Sequence, residues 1–315
     1  MQKRRIGSSE LLVSPLAFGC NVLGWTINEK QSFEILDAFL AAGCNFLDTA
    51  DIYCRWATGA GGESETILGN WMQKRKNRNG VVLATKVGMD MGNGNLGLSK
   101  KYILNAVNAS LRRLQTDYID LYQSHKDDDV TPPEETLEAY QQLIKEGKIR
   151  YIGASNFSAT RLESSLLVAE KFGLPRYQSL QPHYNLIERK QFETELEPLC
   201  VREKLSVINY FPLASGFLTG KYRTQNDLSK SVRGGGMSRF MNEKGFSILE
   251  TLDELAGIHK ATPAAITLAW YMSRPSIIAP IASATSSLQL NELLKAIEIK
   301  LSNQEIERIN QCSAY

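Results

Sequence analysis

Asp48, Tyr53, Lys86 and His125 are polar residues of four chemical kinds, each at or just beyond the end of a short apolar run. Asp48 closes Cys44-Asn-Phe-Leu-Asp48, and Tyr53 follows it on the next loop. Lys86 closes Val81-Val-Leu-Ala-Thr-Lys86, and His125 closes Tyr118-Ile-Asp-Leu-Tyr-Gln-Ser-His125. Together they compose a proton-transfer set. A phenol of ordinary pKa ~10 is a poor acid at neutral pH unless a cation stabilises its anion. Lys86 would supply that cation, Asp48 would hold it in place and charged, and a neutral His125 would offer a ring N–H to a substrate oxygen where negative charge develops. Taken one at a time, the aspartate reads as a cap or turn former, the tyrosine as packing, the lysine as a solvated strand end and the histidine as a satisfied core residue. Their shared position at the ends of successive runs favours chemistry, because ligands of parallel sheets and barrels bind beyond the carboxyl ends of the strands.

The elements that would position them follow from the same pattern. Short apolar runs alternate with amphipathic segments from about residue 14, as repeated βα units do. Eight runs are expected as strands, at 14–19, 44–48, 81–86, 118–125, 149–154, 177–181, 206–210 and 277–281, which implies a closed (β/α)8 barrel occupying residues 1–315 as one domain. Ser99 is placed to cap a helix in which Ile103, Val107, Leu111 and Leu114 recur at helical spacing. Thr131-Pro-Pro-Glu134 reads as an N-cap with a capping-box glutamate and Gly147 as the stop of that helix, while Ser302-Asn-Gln-Glu305 starts a terminal helix beyond the eight units. Residues 1–13, turning at Gly7-Ser-Ser, read as a hairpin able to plug the amino end of the barrel. The longest connection, residues 211–245 with Arg233-Gly-Gly-Gly-Met, is expected to lack regular structure and is a candidate lid.

Charge and composition narrow the function. With 36 Lys plus Arg against 34 Asp plus Glu, the formal charge of +2 leaves no footprint for nucleic acid or anionic lipid, so the expected partner is a small molecule. No apolar stretch approaches the roughly 20 residues of a membrane span and Met1-Gln-Lys-Arg-Arg opens no signal segment, so a soluble, cytoplasmic chain is expected. The five cysteines (Cys20, Cys44, Cys54, Cys200, Cys312) are odd in number and lack metal-binding spacing, and Cys54 reads as an ordinary pocket thiol. No metal site is expected, since His125, His183 and His259 show no ligand spacing.

Several local motifs, in order along nearly the whole chain, resemble the aldo-keto reductase family: Phe46-Leu-Asp-Thr-Ala-Asp-Ile-Tyr53, Glu63-Ser-Glu-Thr-Ile-Leu-Gly69, Thr85-Lys86, Ser110-Leu-Arg-Arg-Leu, Asp117-Tyr-Ile-Asp-Leu-Tyr with His125, Gly147-Lys-Ile-Arg-Tyr-Ile-Gly-Ala-Ser-Asn-Phe157, and Gln181 with Tyr184-Asn-Leu186. The resemblance implies a barrel that reduces carbonyls with NADPH and places its catalytic tetrad on Asp48, Tyr53, Lys86 and His125. It further implies that Ser155, Asn156 and Gln181 hydrogen-bond the nicotinamide carboxamide, that Tyr210 stacks on the ring, and that Leu213, Ser215, Leu218 and Lys221 surround the pyrophosphate. The substrate would be an aldehyde, a ketone or, in reverse, an alcohol.

Two segments depart from the family. Many relatives carry Arg or Lys after the eighth strand for the adenosine 2′-phosphate; here Ser283-Ala-Thr-Ser-Ser-Leu-Gln289 has no cation, leaving Ser283, Thr285, Ser286 and Gln289 as neutral donors. The resemblance implies NADP(H) as the expected preference, and the missing cation leaves NAD(H) open. The segment Cys54-Arg-Trp-Ala-Thr-Gly-Ala-Gly-Gly62 is longer than the connection in many relatives, and its Gly59-Ala-Gly-Gly62 reads as a flexible turn; Trp25, Trp56 and Tyr184 or His183 are candidate pocket walls, Arg55 reads as solvated, and Trp71 and Trp270 read as packing. Competing functions are a nucleotide-binding module that reports redox state to a partner, and a barrel aldolase with Lys86 as Schiff base, which would leave Tyr210, Gln181 and Ser155-Asn156 without a role.

Overall fold

A computed structural model describes residues 1–231 and 234–315. The chain opens with an antiparallel hairpin, β1 (Arg4–Arg5) and β2 (Leu12–Val13). Its turn needs glycine at Gly7, where φ is +51° and a Cβ would stand 2.6 Å from the Gln178 carbonyl oxygen. Eight strands then follow in one parallel sheet: β3 (Ala17–Gly19), β4 (Phe46–Asp48), β5 (Val82–Val87), β6 (Ile119–Ser124), β7 (Ile149–Ser155), β8 (Ser179–Gln181), β9 (Ser206–Val207) and β10 (Ile281–Ala282). β10 pairs with β3, and the other edge closes through a bridge between Val207 and Ile277, with Val207 N–H donating to the Ser276 carbonyl at 3.0 Å and Ile278 N–H to Val207 at 2.9 Å. The protein is a (β/α)8 barrel.

Alternation along the strands divides the barrel. Ala84 of β5 and Phe46 of β4 join Ile6, Leu11 and Val13 of the hairpin in an inner apolar cluster, while Leu83, Val87 and Leu47 join a larger cluster against the helices. The hairpin therefore fills the amino end of the lumen, and the inward positions above it, Asp48 and Lys86, are polar. Outside, the helix Glu63–Arg75 lies close against the helix Lys100–Leu114 at Gly69, where a Cβ would stand 2.2 Å from the Arg113 carbonyl oxygen. Trp71 and Trp270 are fully buried, their indole N–H groups donating to Asp37 at 2.8 Å and Asn310 at 3.0 Å, as packing residues do.

Caps account for most helix boundaries. Ser99, Ser158, Asn242, Thr262 and Ser302 accept from the first-turn N–H groups of their helices, and Ser302 and Glu305 form the expected capping box. Thr131 does not cap. The helix Pro133–Lys145 starts one residue after Pro132, because the Asp128 carboxylate takes the Thr131 hydroxyl at 2.6 Å and the Thr131 N–H at 2.8 Å. Several strands are shorter than the apolar runs: the last is expected at 277–281 but pairs regularly only at Ile281–Ala282, since Pro280 has no N–H for a ladder. The connection at 211–245 also differs from expectation. Its described parts form the 3-10 turns Ala214–Thr219, Gln225–Lys230 and Gly234–Phe240, with Phe217 and Phe240 packed 5.7 Å apart; Arg233 lies outside the described residues.

Among the described residues no helix is long and apolar enough to cross a membrane, and no group of three or more His, Cys, Asp or Glu is arranged to hold a metal. The hairpin's contribution is testable. Ile6→Ala removes a fully buried side chain from the inner cluster. It should lower stability by roughly 2–5 kcal/mol in urea unfolding; a loss within error of zero would show that the hairpin does not seal the lumen.

Candidate active site

The upper lumen is organised around one ammonium group. Lys86 Nζ donates to Asp48 Oδ2 at 2.6 Å, to the Thr49 carbonyl at 2.8 Å and to the Tyr53 hydroxyl oxygen at 3.0 Å. Pairing of β4 with β5 sets Asp48 opposite Ala84, so Lys86 stands two residues higher on the same inward face and its side chain reaches back to the carboxylate. The loop carrying Tyr53 is tied to β5 by Thr49 N–H donating to Ala84 at 2.9 Å and Asp51 N–H to Lys86 at 3.3 Å. His125 follows β6, held by its N–H on the Val87 carbonyl at 2.8 Å, and its ring lies 6.2 Å from that of Tyr53 at 74°. The four residues expected to act together are thus neighbours in space.

Burial sets their charges. Lys86 and Asp48 are 0% and 1% exposed, so an unpaired charge on either would be costly. Burial alone would depress the Lys86 ammonium, but Asp48 and then Tyr53 outweigh it and hold its pKa above the ordinary value. Burial drives His125 well below its ordinary range, Lys86 adding to the effect, so the imidazole is neutral at pH 7. Tyr53 departs from expectation. Burial lifts its phenol to about 12, more than the neighbouring Lys86 lowers it, so the hydroxyl keeps its proton through neutral pH.

The residues expected at a nicotinamide lie beside this cluster. Ser155 ends β7 and donates its hydroxyl to the Gln181 carbonyl at 2.8 Å. Asn156, exposed and left-handed at φ 54°, donates its amide to the His125 carbonyl at 2.9 Å and accepts the Tyr210 hydroxyl at 2.7 Å. Tyr210 is half-buried and stacks on His183 at 5.3 Å. Gln181 turns inward instead, its amide nitrogen donating to Asp48 Oδ1 at 2.8 Å and Gln123 Oε1 at 3.3 Å. Leu213, Ser215 and Leu218 lie in a tight loop where Phe211, Ala214, Ser215 and Gly216 all have positive φ, and the exposed Lys221 amine sits over the Tyr222 ring at 4.9 Å. At the far end Ser283 donates to the Gly19 carbonyl at 2.7 Å and to Asn21 at 2.8 Å, Thr285 donates to Gln289, and Ser286 caps the helix Ser287–Lys295.

Comparison with known proteins accords with this geometry. The model of the aldo/keto reductase family matches residues 15–314. The chain belongs to that family. It is 35% identical to the oxidoreductase YrpG of Bacillus subtilis (strain 168), over 98% of this chain and 95% of that protein. It is 31% identical to versiconal hemiacetal acetate reductase of Aspergillus parasiticus, over 99% of this chain and 96% of that protein. A probable voltage-gated potassium channel subunit beta of Oryza sativa subsp. japonica is 33% identical over 95% of this chain and 92% of its own.

This aldo/keto reductase holds further polar residues at its site that sequence reasoning passed over. Gln123, fully buried on β6, donates to Asp48 Oδ1 at 3.2 Å; its position two residues before His125 on one strand was the available signal. Asp51 is buried with Oδ1 lacking a hydrogen-bond partner, and burial, with Glu65 adding, raises its pKa to about 8. Behind it, buried Glu65 accepts from Thr85 at 2.6 Å and from Arg113 at 2.7 Å. Tyr184, a candidate pocket wall, is instead fully buried against Phe192, Trp270 and Tyr271. Cys54 is also buried, which raises its thiol to about 11 and leaves it inert.

Two consequences can be measured. Lys86→Met should cost roughly 3–5 kcal/mol in urea unfolding because it strands the Asp48 charge, and adding Asp48→Asn should recover part of that loss; additive losses would refute the pairing. The second concerns pH. Unfolded His125 takes a proton below about 6.5 while the folded imidazole resists it, so stability falls as pH drops through that value, by at most ~1.4 kcal/mol per unit. His125→Gln should remove that contribution, so that between pH 5 and 6.5 the variant's stability rises less with pH than the parent's, where the raised Asp51 carboxyl opposes the histidine; identical slopes in the two proteins would show that this histidine is not buried neutral.

Proposed function

We propose that the protein is an NADP(H)-dependent oxidoreductase that reduces aldehyde or ketone carbonyls to alcohols, with Tyr53 as general acid and Asp48, Lys86 and His125 as its supporting set. The observation that carries this reading is the single ammonium of Lys86 set between the Asp48 carboxylate at 2.6 Å and the Tyr53 hydroxyl at 3.0 Å. A bound nicotinamide nucleotide supplies the hydride. The residues present suit it: the Tyr210 ring and the exposed Asn156 amide offer a platform and a polar group beside His125, and the left-handed loop at Ala214–Gly216 with the Lys221 amine suits a pyrophosphate. The family likeness favours NADP(H); without a cation among residues 283–289, a 2′-phosphate would meet only hydroxyls and the start of the helix Ser287–Lys295, so NAD(H) is accepted as well.

In this reading the carbonyl oxygen is received between the Tyr53 hydroxyl and the His125 ring, and the neutral imidazole polarises it by donating an N–H. Tyr53 gives its proton to the oxygen as negative charge builds there. Lys86, kept charged by Asp48, stabilises the phenolate left behind. The aldolase alternative would need Lys86 as a free amine, which the buried contact with Asp48 opposes.

A second reading, a nucleotide-binding module that reports redox state to a partner, draws support from the likeness to a protein named as a probable potassium channel subunit beta. Turnover separates the two. Titration with NADPH and with NADH by tryptophan quenching, followed by 4-nitrobenzaldehyde, should give saturable binding and steady oxidation of the nucleotide. Binding without turnover of any carbonyl in a panel would favour the module. Tyr53→Phe should bind NADPH about as well as the parent yet lose on the order of 10²-fold or more in kcat; full activity would remove Tyr53 from the mechanism.

A further inference from the structure

The segment between Tyr53 and the next long helix carries a feature that the reaction as described does not use. It begins with a single helical turn, Arg55–Thr58, bounded by left-handed residues at Cys54 (φ 77°) and Gly59 (φ 81°). Four residues cannot sustain a helix alone, and this one is pinned at several points. The Cys54 thiol donates to the Leu23 carbonyl at 3.1 Å, the Thr58 hydroxyl to Cys54 at 3.1 Å, and the Arg55 guanidinium to Gly59 at 2.8 Å. What this turn presents is Trp56. Its indole stands 6.0 Å from the Tyr53 ring at 65° and 5.4 Å from the Trp25 ring at 85°, yet it is 52% exposed.

The other tryptophans sharpen the contrast. Trp71 and Trp270 are fully buried and their N–H groups are partnered, as structural indoles are. Trp56 gains little from burial and is held by a pinned turn with its ring 6.0 Å from the hydroxyl-bearing ring of Tyr53. The free face of Trp56, beside the Tyr53 ring, is open to a flat ligand that reaches Tyr53.

We propose that Trp56 is the specificity-determining residue of this site: its exposed indole is a wall on which a flat aromatic aldehyde or ketone packs while its carbonyl oxygen meets Tyr53 and His125, so that aryl carbonyls are preferred to short aliphatic ones. This rests on the reductase reading above. A ring of the substrate meets the indole edge-on or offset, and the contact also fixes the carbonyl's approach. A short alkyl chain leaves most of the indole wet and forgoes the contact.

The test compares the parent protein, Trp56→Ala and Trp56→Phe with saturating NADPH and two substrates, 4-nitrobenzaldehyde and butanal. It also measures calorimetric affinity for the corresponding alcohol, 4-nitrobenzyl alcohol. In Trp56→Ala the ratio of kcat/KM for the aryl substrate to that for butanal should fall roughly ten-fold, carried mainly by KM. Trp56→Phe should restore most of it, and alcohol affinity should fall in parallel. An unchanged ratio, or an equal loss on both substrates, overturns the proposal, the latter because the indole would then only support Tyr53. If the parent reduces neither aldehyde, the reductase reading fails and the alcohol alone decides: affinity unchanged in Trp56→Ala refutes the aromatic wall, and affinity weakened about ten-fold supports it.

Discussion

A charged lysine in the lumen of the barrel is the constraint on which the site depends. Moving a free ammonium or carboxylate into an apolar interior costs several kcal/mol even after relaxation, so Lys86 and Asp48 are tolerable only as a pair with every remaining donor and acceptor engaged. That condition is met around the pair on β4 and β5 by groups from four further places: the Thr49 carbonyl after β4, the Tyr53 hydroxyl on the loop beyond, Gln123 on β6 and Gln181 on β8. No single strand could supply them. The stagger of neighbouring strands, with Lys86 opposite Gln123 and Asp48 opposite Ala84, brings these side chains to one level.

The same constraint explains why the barrel is divided along its axis. An ionic cluster stabilises little once desolvation is counted, so the folding free energy must come from elsewhere. It comes from the helix layer and from the lower lumen, where the hairpin residues Ile6, Leu11 and Val13 meet Phe46, Leu121 and Ile208. With the amino end closed by apolar packing, the carboxyl end is left free to carry polar groups, loops and left-handed residues that would weaken a core. Stability low in the barrel and chemistry high in it are two sides of one arrangement.

The tetrad's neighbourhood was legible in the sequence because an abrupt change of residue type at the end of an apolar run marks where a strand leaves the core. Gln123 was not, because an amide inside a strand looks like an outward residue until the parity of the strand is known. Parity also misled at Tyr184: beside His183 it could line the pocket, but it points away and packs on Phe192 at 4.3 Å. Thr131 had the form of a cap and lost that role to Asp128, a competition between two neighbours that pattern alone does not resolve. Loops were the least legible. The turn at Arg55–Thr58 and the packed 3-10 turns after Phe211 owe their shapes to distant contacts such as Cys54 with Leu23 and Phe217 with Phe240.

The electrostatics of Tyr53 separate two ideas that a sequence reading merges. A cation beside a phenol is expected to lower its pKa, yet in this lumen burial prevails and the phenol stands near 12. For the proposed acid this is no defect. An acid must hold its proton until the substrate arrives, and a buried, protonated phenol does so at any physiological pH. What matters for rate is whether the phenolate is stabilised when charge moves onto it, and a cation pre-positioned at 3.0 Å in a site of low polarity acts most strongly then. Lys86 thus need not weaken the O–H bond of the resting protein. In the proposed reaction its contribution belongs to the moment of transfer, with the buried Asp48 carboxylate keeping it charged.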